Sequence, residues 1–128
     1  MTDNPADGAT GARRILLVDD HLDTLEIMGL LLRNSSYEVH EAGDVRSALA
    51  AAGEHRFDLV VSDLGLPDGS GLDLMRELRA RYGLQGIALS GYGMRDDVRQ
   101  SHEAGFAEHL LKPVTFQTLQ AAIERVLG

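Results

Sequence analysis

Five short apolar runs, each parted from the next by a segment with helical spacing, constrain the fold of this chain more than any other feature. The runs are Ile15–Val18, Tyr37–Glu41, Phe57–Asp63, Ile87–Ser90 and Phe106–Leu111. Between and after them, large apolar residues recur at three- and four-residue steps: Leu22, Leu25, Met28 and Leu32; Val45, Ala48, Leu49 and Ala52; Leu72, Met75, Leu78 and Tyr82; Phe116, Leu119, Ile123 and Val126. That spacing predicts helices with one buried face. The segment Met94–Ala104 is the exception, with Val98 as its main large apolar residue, so it should bury less than the other helices. Strands alternating with helices imply right-handed βαβ crossovers, hence an α/β fold with a parallel sheet covered on both faces. A length of 128 residues suits one such domain.

Turn and capping residues punctuate the pattern at the expected places. Asn34-Ser35-Ser36 should end the first helix, Asp44 should cap the second and Gly53 should close it, and Gly83 and Gly105 should close the third and fourth. Pro67-Asp68-Gly69 reads as a turn in which Pro sets φ, Asp bonds back to the backbone and Gly permits positive φ. Ser70 with Asp73 has the spacing of a capping box, and Thr115 can cap the last helix. Residues 1–12 are small, polar and acidic with nothing to bury, so we expect a disordered leader there and a single domain over 13–128.

Composition narrows the function classes. A formal net charge of -8 argues against a nucleic-acid-binding surface, although acidity alone fits a cation, a basic partner or merely a solvated surface. There is no cysteine, so neither disulfides nor thiolate metal sites are available. No run reaches the about 18 apolar residues of a membrane span, and the first residues lack the pattern of a signal peptide. The expectation is a soluble cytoplasmic protein.

A parallel sheet puts the carboxyl ends of its strands on one edge, where open α/β sheets place their binding crevices. Here that edge collects Asp19-Asp20, Asp63, Ser90 and Lys112 from four strands. Carboxylates about 4 Å apart repel by roughly 4 kcal/mol per pair at an effective dielectric near 20, so something positive has to enter. Hard oxygen ligands without His or Cys suit Mg²⁺ and a phosphate, Lys112 offers an ammonium for a phosphoryl oxygen, Ser90 a neutral donor, and Asp63 a nucleophile that can form an aspartyl-phosphate. Taken singly, each residue has a plainer role: Asp19-Asp20 as helix caps, Asp63 as a turn former, Ser90 as a small strand-end residue, Lys112 as a surface lysine. Their coincidence on one edge favours a site.

At these residues the chain resembles the receiver domain of two-component response regulators. The resemblance runs from about Arg13 to Leu127 and rests on Val18-Asp19-Asp20, Asp63 with Pro67-Asp68-Gly69-Ser70-Gly71, Ser90-Gly91 and Lys112-Pro113. It implies a flavodoxin-like (βα)5 three-layer sandwich with strand order 2-1-3-4-5, and Asp63 as acceptor of phosphate from a histidine kinase or histidine phosphotransfer domain. It also implies Mg²⁺ held by Asp20, Asp63 and the Gly65 backbone carbonyl with Asp19 acting through water, Lys112 on the phosphoryl group behind a cis bond to Pro113, and Ser90 as the switch hydroxyl. The implied protein is a signalling phosphoacceptor with only self-catalysed phosphorylation and dephosphorylation, a monomer or weak dimer with no direct nucleic-acid or membrane partner. One departure stands out: where the family usually has Tyr or Phe as second switch residue, this chain has His109. The stretches Gly86–Gly93 and Ala104–Pro113 look more like receivers attached to hybrid histidine kinases, which leaves open a stand-alone receiver or a piece of a longer protein.

Three alternatives stay open at this point. A receiver-like module that binds partners without being phosphorylated would use the same fold. An aspartyl-phosphate phosphatase of the haloacid-dehalogenase type needs a second Asp two residues after its nucleophile, where this chain has Gly65. A flavin-binding protein would need donors in loops that here carry acids.

Overall fold

A computed structural model of the chain describes residues 12–91 and 97–128. The expected leader lies outside the described residues except for Ala12, as do residues 92–93 of the loop after Ser90 and 94–96 at the start of the fourth helical segment.

Five strands form the main sheet among the described residues: β1 (Arg14–Val18), β2 (Glu38–Ala42), β3 (Leu59–Asp63), β4 (Gln85–Ser90) and β5 (Phe106–Leu111). All pairings between them are parallel, and their order is 2-1-3-4-5. The helices are α1 (Leu22–Asn34), α2 (Val45–Glu54), α3 (Gly71–Tyr82), α4 (Asp97–Ala104) and α5 (Phe116–Leu127). This is the expected flavodoxin-like three-layer sandwich. A two-residue antiparallel ribbon, Gly65–Leu66 with Gly69–Ser70, forms the loop that follows β3.

Period-two alternation along buried strands sends neighbours to opposite faces. Leu16, Val18, Val60 and Ala88 join Leu74, Met75, Leu78 and Ala104 on the face covered by α2, α3 and α4. Ile15, Leu17, Val61 and Ile87 join Leu25, Leu32, Leu119 and Ile123 beneath α1 and α5. Every residue of β3 is buried, Asp63 included. No helix among the described residues is long and apolar enough to cross a membrane.

The helix ends show which local rules won. Helix α1 ends at Asn34 as expected, in a Schellman motif: Ser36 N–H donates to Arg33 O, Tyr37 N–H donates to Leu32 O, and Ser36 takes the left-handed φ of 74° usually left to Gly. Asp44 caps α2, and Ser47 returns the bond to complete a capping box. Other expectations fail. Gly53 does not close α2, which runs one residue further to Glu54 and ends on an extended His55. Ser70 caps α3 through Leu72 N–H, but Asp73 turns instead to Arg76 at 2.7 Å, so there is no capping box at that helix. Gly69 avoids the left-handed region. Tyr82 and Leu22, placed by spacing on buried faces, are 44% and 69% exposed.

Asp68 departs most from expectation. Its carboxylate does not bond back into its own turn but reaches the start of α2, accepting Val45 N–H at 2.8 Å and Arg46 N–H at 3.0 Å. Two carboxylates, Asp44 and Asp68, thus meet the free donors and positive end of one helix.

Candidate functional site

The sheet delivers the expected residues to one edge. Asp19 follows β1, Asp63 is the last residue of β3, Ser90 the last of β4, and Lys112 follows β5. Asp63 is 7% exposed and Asp19 1%, so neither carboxylate is simply a solvated surface charge. Both are met by one cation: Lys112 Nζ lies 2.7 Å from Asp63 Oδ2 and 3.0 Å from Asp19 Oδ2. Lys112 is held in place by its own N–H, which donates to Ser90 O at 2.7 Å, and the Lys112–Pro113 bond is cis.

The positive charge required by the clustered acids therefore comes first from the chain itself. Burial alone would lower the Lys112 pKa, but its bonds to Asp63 and Asp19 outweigh that and raise it. Burial likewise pushes Asp19 up, and the His21 N–H, the Lys112 ammonium and the His21 ring together bring it below the ordinary carboxyl value. Asp19 is fully engaged: Oδ1 accepts from His21 N–H at 2.9 Å and faces His21 Nδ1 at 3.0 Å, while Oδ2 holds Lys112. Asp20 is more open, with its side chain 39% exposed and His21 Nδ1 3.2 Å away. The hydrogen bond to Asp19 raises the His21 pKa.

Gly65 donates its N–H to Asp63 Oδ1 at 3.2 Å. The backbone bearing Asp63 is seated against the start of α3, where Gly71 N–H donates to Leu64 O at 2.9 Å. A side chain at Gly71 would collide with the Asp63 carbonyl oxygen and come within 2.9 Å of Leu64 Cα, so this contact demands glycine. Ligand atoms of Asp19, Asp20, His21 and Asp63 all lie within 4.8 Å of one another. Three carboxylates so grouped are a donor set that fits a hard divalent cation such as Mg²⁺. Beside them a cavity of about 610 Å³ opens between α1 and the segment after β5, with Leu25, Met28, Val114 and Leu119 among its walls.

Ser90 and His109 are also brought together. Ser90 is fully buried and its Oγ lies 2.7 Å from His109 Nε2. The other ring nitrogen, Nδ1, lies 2.9 Å from Ser101 Oγ of α4. Two contributors escaped sequence reasoning: His21 and Ser101. The position of His21 directly after Asp19-Asp20 was the available signal for the first. For Ser101 the signal was a small-residue pair, Ser101 and Ala104, at helical spacing in a segment otherwise poor in apolar residues.

The chain is similar to known proteins over most of its length. A family model described as the response regulator receiver domain matches residues 15–124. The DNA-binding response regulator MtrA of Mycobacterium tuberculosis is 35% identical over 114 residues, covering 89% of this chain and 50% of that protein. Response regulator protein PilR of Pseudomonas aeruginosa is 32% identical over 116 residues, 90% of this chain and 26% of that one. The chain thus spans half or less of the length of these two relatives. Among solved structures, a CheY-like receiver domain from Methanospirillum hungatei superposes with a TM-score of 0.85 at 30% identity, covering 91% of this chain and 94% of that one. CheY4 of Vibrio cholerae gives 0.83 at 28%, covering 91% and 99%.

Proposed function

The chain belongs to the response regulator receiver domain family, and on that premise we propose that residues 13–128 are a phosphoacceptor switch in a cytoplasmic two-component phosphorelay, with Asp63 as the acceptor. The observation that carries this reading is the single lysine spanning two buried carboxylates, Lys112 to Asp63 at 2.7 Å and to Asp19 at 3.0 Å. A lysine so placed stands where a phosphoryl group on Asp63 would need a counter-charge.

In this reading an Asp63 carboxylate oxygen attacks the phosphorus of a phosphohistidine on a histidine kinase or phosphotransfer domain. The nitrogen–phosphorus bond breaks, its electron pair returns to the imidazole, and an acyl phosphate forms on Asp63. Lys112 transfers its contact from the Asp63 carboxylate to a phosphoryl oxygen, and Ser90 supplies a neutral donor. Asp20, Asp63 and the Gly65 carbonyl would hold Mg²⁺, which supplies charge neutralisation at the phosphoryl group. Asp19, whose two oxygens are already engaged, is suited to hold the ion only through water. The protein acts as a signalling component and not as a turnover enzyme, with monomer or weak dimer as its state. Helix α1, which lines the cavity with Thr24, Leu25 and Met28 and exposes Leu22, Ile27 and Leu30, is in this reading the side from which the phosphodonor docks.

Incubation with a small phosphodonor and Mg²⁺ tests the assignment. The unmodified protein should take up base-labile phosphate and Asp63→Asn should take up none; undiminished uptake in the variant overturns it. A thermal-stability titration with Mg²⁺ should raise the melting temperature as carboxylate repulsion is relieved.

A further inference from the structure

The hydrogen-bond chain that starts at Ser90 does not stop at His109. Ser101 is completely buried on a helix whose Val98 is 51% exposed. Its hydroxyl donates to Val98 O at 2.8 Å, a bond back along the helix that spends its only hydrogen. Toward His109 Nδ1, 2.9 Å away, Ser101 Oγ can then only accept, so Nδ1 carries the ring hydrogen. In the neutral imidazole Nε2 is then bare, and the Ser90 hydroxyl 2.7 Å away donates to it. For the neutral ring, the direction of both ring bonds follows from the backbone carbonyl at the far end.

We propose that Ser101 of α4 is a positioning residue of the switch: by accepting Nδ1–H it fixes the His109 tautomer that takes the Ser90 hydroxyl hydrogen, and so couples α4 to the phosphoryl site through hydrogen bonds. This rests on the reading of Asp63 as phosphoacceptor. When Ser90 turns its hydroxyl to a phosphoryl oxygen, Nε2 loses that bond, and the change passes through the ring to its bond with Ser101. An aromatic residue at 109 would signal by filling or leaving space. His109 signals instead by which hydrogen-bond partner each ring nitrogen has.

Long-range ¹⁵N NMR of the histidine rings in the full chain tests this directly. The unmodified protein should show His109 in the Nδ1–H tautomer. Ser101→Ala should move the population toward Nε2–H, and Ser101→Thr, which keeps a hydroxyl, should retain the original tautomer. With Mg²⁺ and beryllofluoride, a mimic of the phosphoryl group, the amide shift response of residues 97–104 should fall at least about twofold in Ser101→Ala. Finding the unmodified ring as Nε2–H, or a tautomer and helix response indifferent to Ser101→Ala, overturns the proposal. The ring measurement on the unmodified protein needs neither phosphate nor a variant. Failure of beryllofluoride to bind would count against Asp63 as acceptor, while the tautomer would still decide the role of Ser101.

Discussion

Helices α3 and α4 cover the same face of the sheet, yet they are attached to it by different chemistry. Helix α3 buries Leu74, Met75 and Leu78, each at most 1% exposed, whereas α4 buries Ser101 and Ala104. Apolar burial is non-directional and roughly proportional to area, so it holds α3 whatever happens at the sheet edge. The hydroxyl of α4 is directional and ends, through His109, on Ser90. Among the described residues, α4 thus has the lesser apolar burial of the two, and its attachment is the one that leads to the site.

Removing each attachment in turn separates the two helices. Leu78→Ala should cost the most, about 2–5 kcal/mol, because a fully buried leucine leaves a cavity beneath α3; chemical denaturation measures it, and a loss under about 1 kcal/mol would erase the contrast. Ser101→Ala should cost about 1–3 kcal/mol in the same assay, because a buried hydrogen bond to His109 loses one of its two partners.

A smaller effect separates the two faces of β5. Glu108, next to His109 and on the other face, accepts from Arg125 of α5 at 3.1 and 3.0 Å, and this pairing lowers its pKa. A carboxyl lowered on folding adds stability above its ordinary value of 4.5 and loses it as pH falls through the lowered folded value. Arg125→Ala should therefore flatten the acid limb of a stability–pH curve below that pH, while leaving the α4 response to beryllofluoride unchanged. Val98→Ala, at an exposed position on α4, should shift stability by no more than about 0.5 kcal/mol.

Most of this architecture was legible in the chain because it rests on local patterns. Alternating apolar runs and helical spacing gave the order of elements, parallel connections gave the shared edge, and Asp19, Asp63 and Lys112 then had to meet. What stayed hidden depended on partners far apart in sequence. Asp68 looked like a turn former, and only the packing of the ribbon against α2 supplies Val45 and Arg46 N–H as competing donors. Asp73 had a capping position but found Arg76 one turn along the same helix. Ser101 is one small residue in a weak segment, and its importance comes from a histidine on another element.

The ribbon after Asp63 has a mechanical consequence. Gly71 N–H ties it to Leu64, Ser70 ties it to α3, and Asp68 rivets its tip to α2. One bank of the cleft is thus braced at three points. On the reading of Asp63 as phosphoacceptor, the side expected to move is the other one, where Ser90 and His109 meet. On the same reading, the brace on α2 sets which side of the cleft is free to respond.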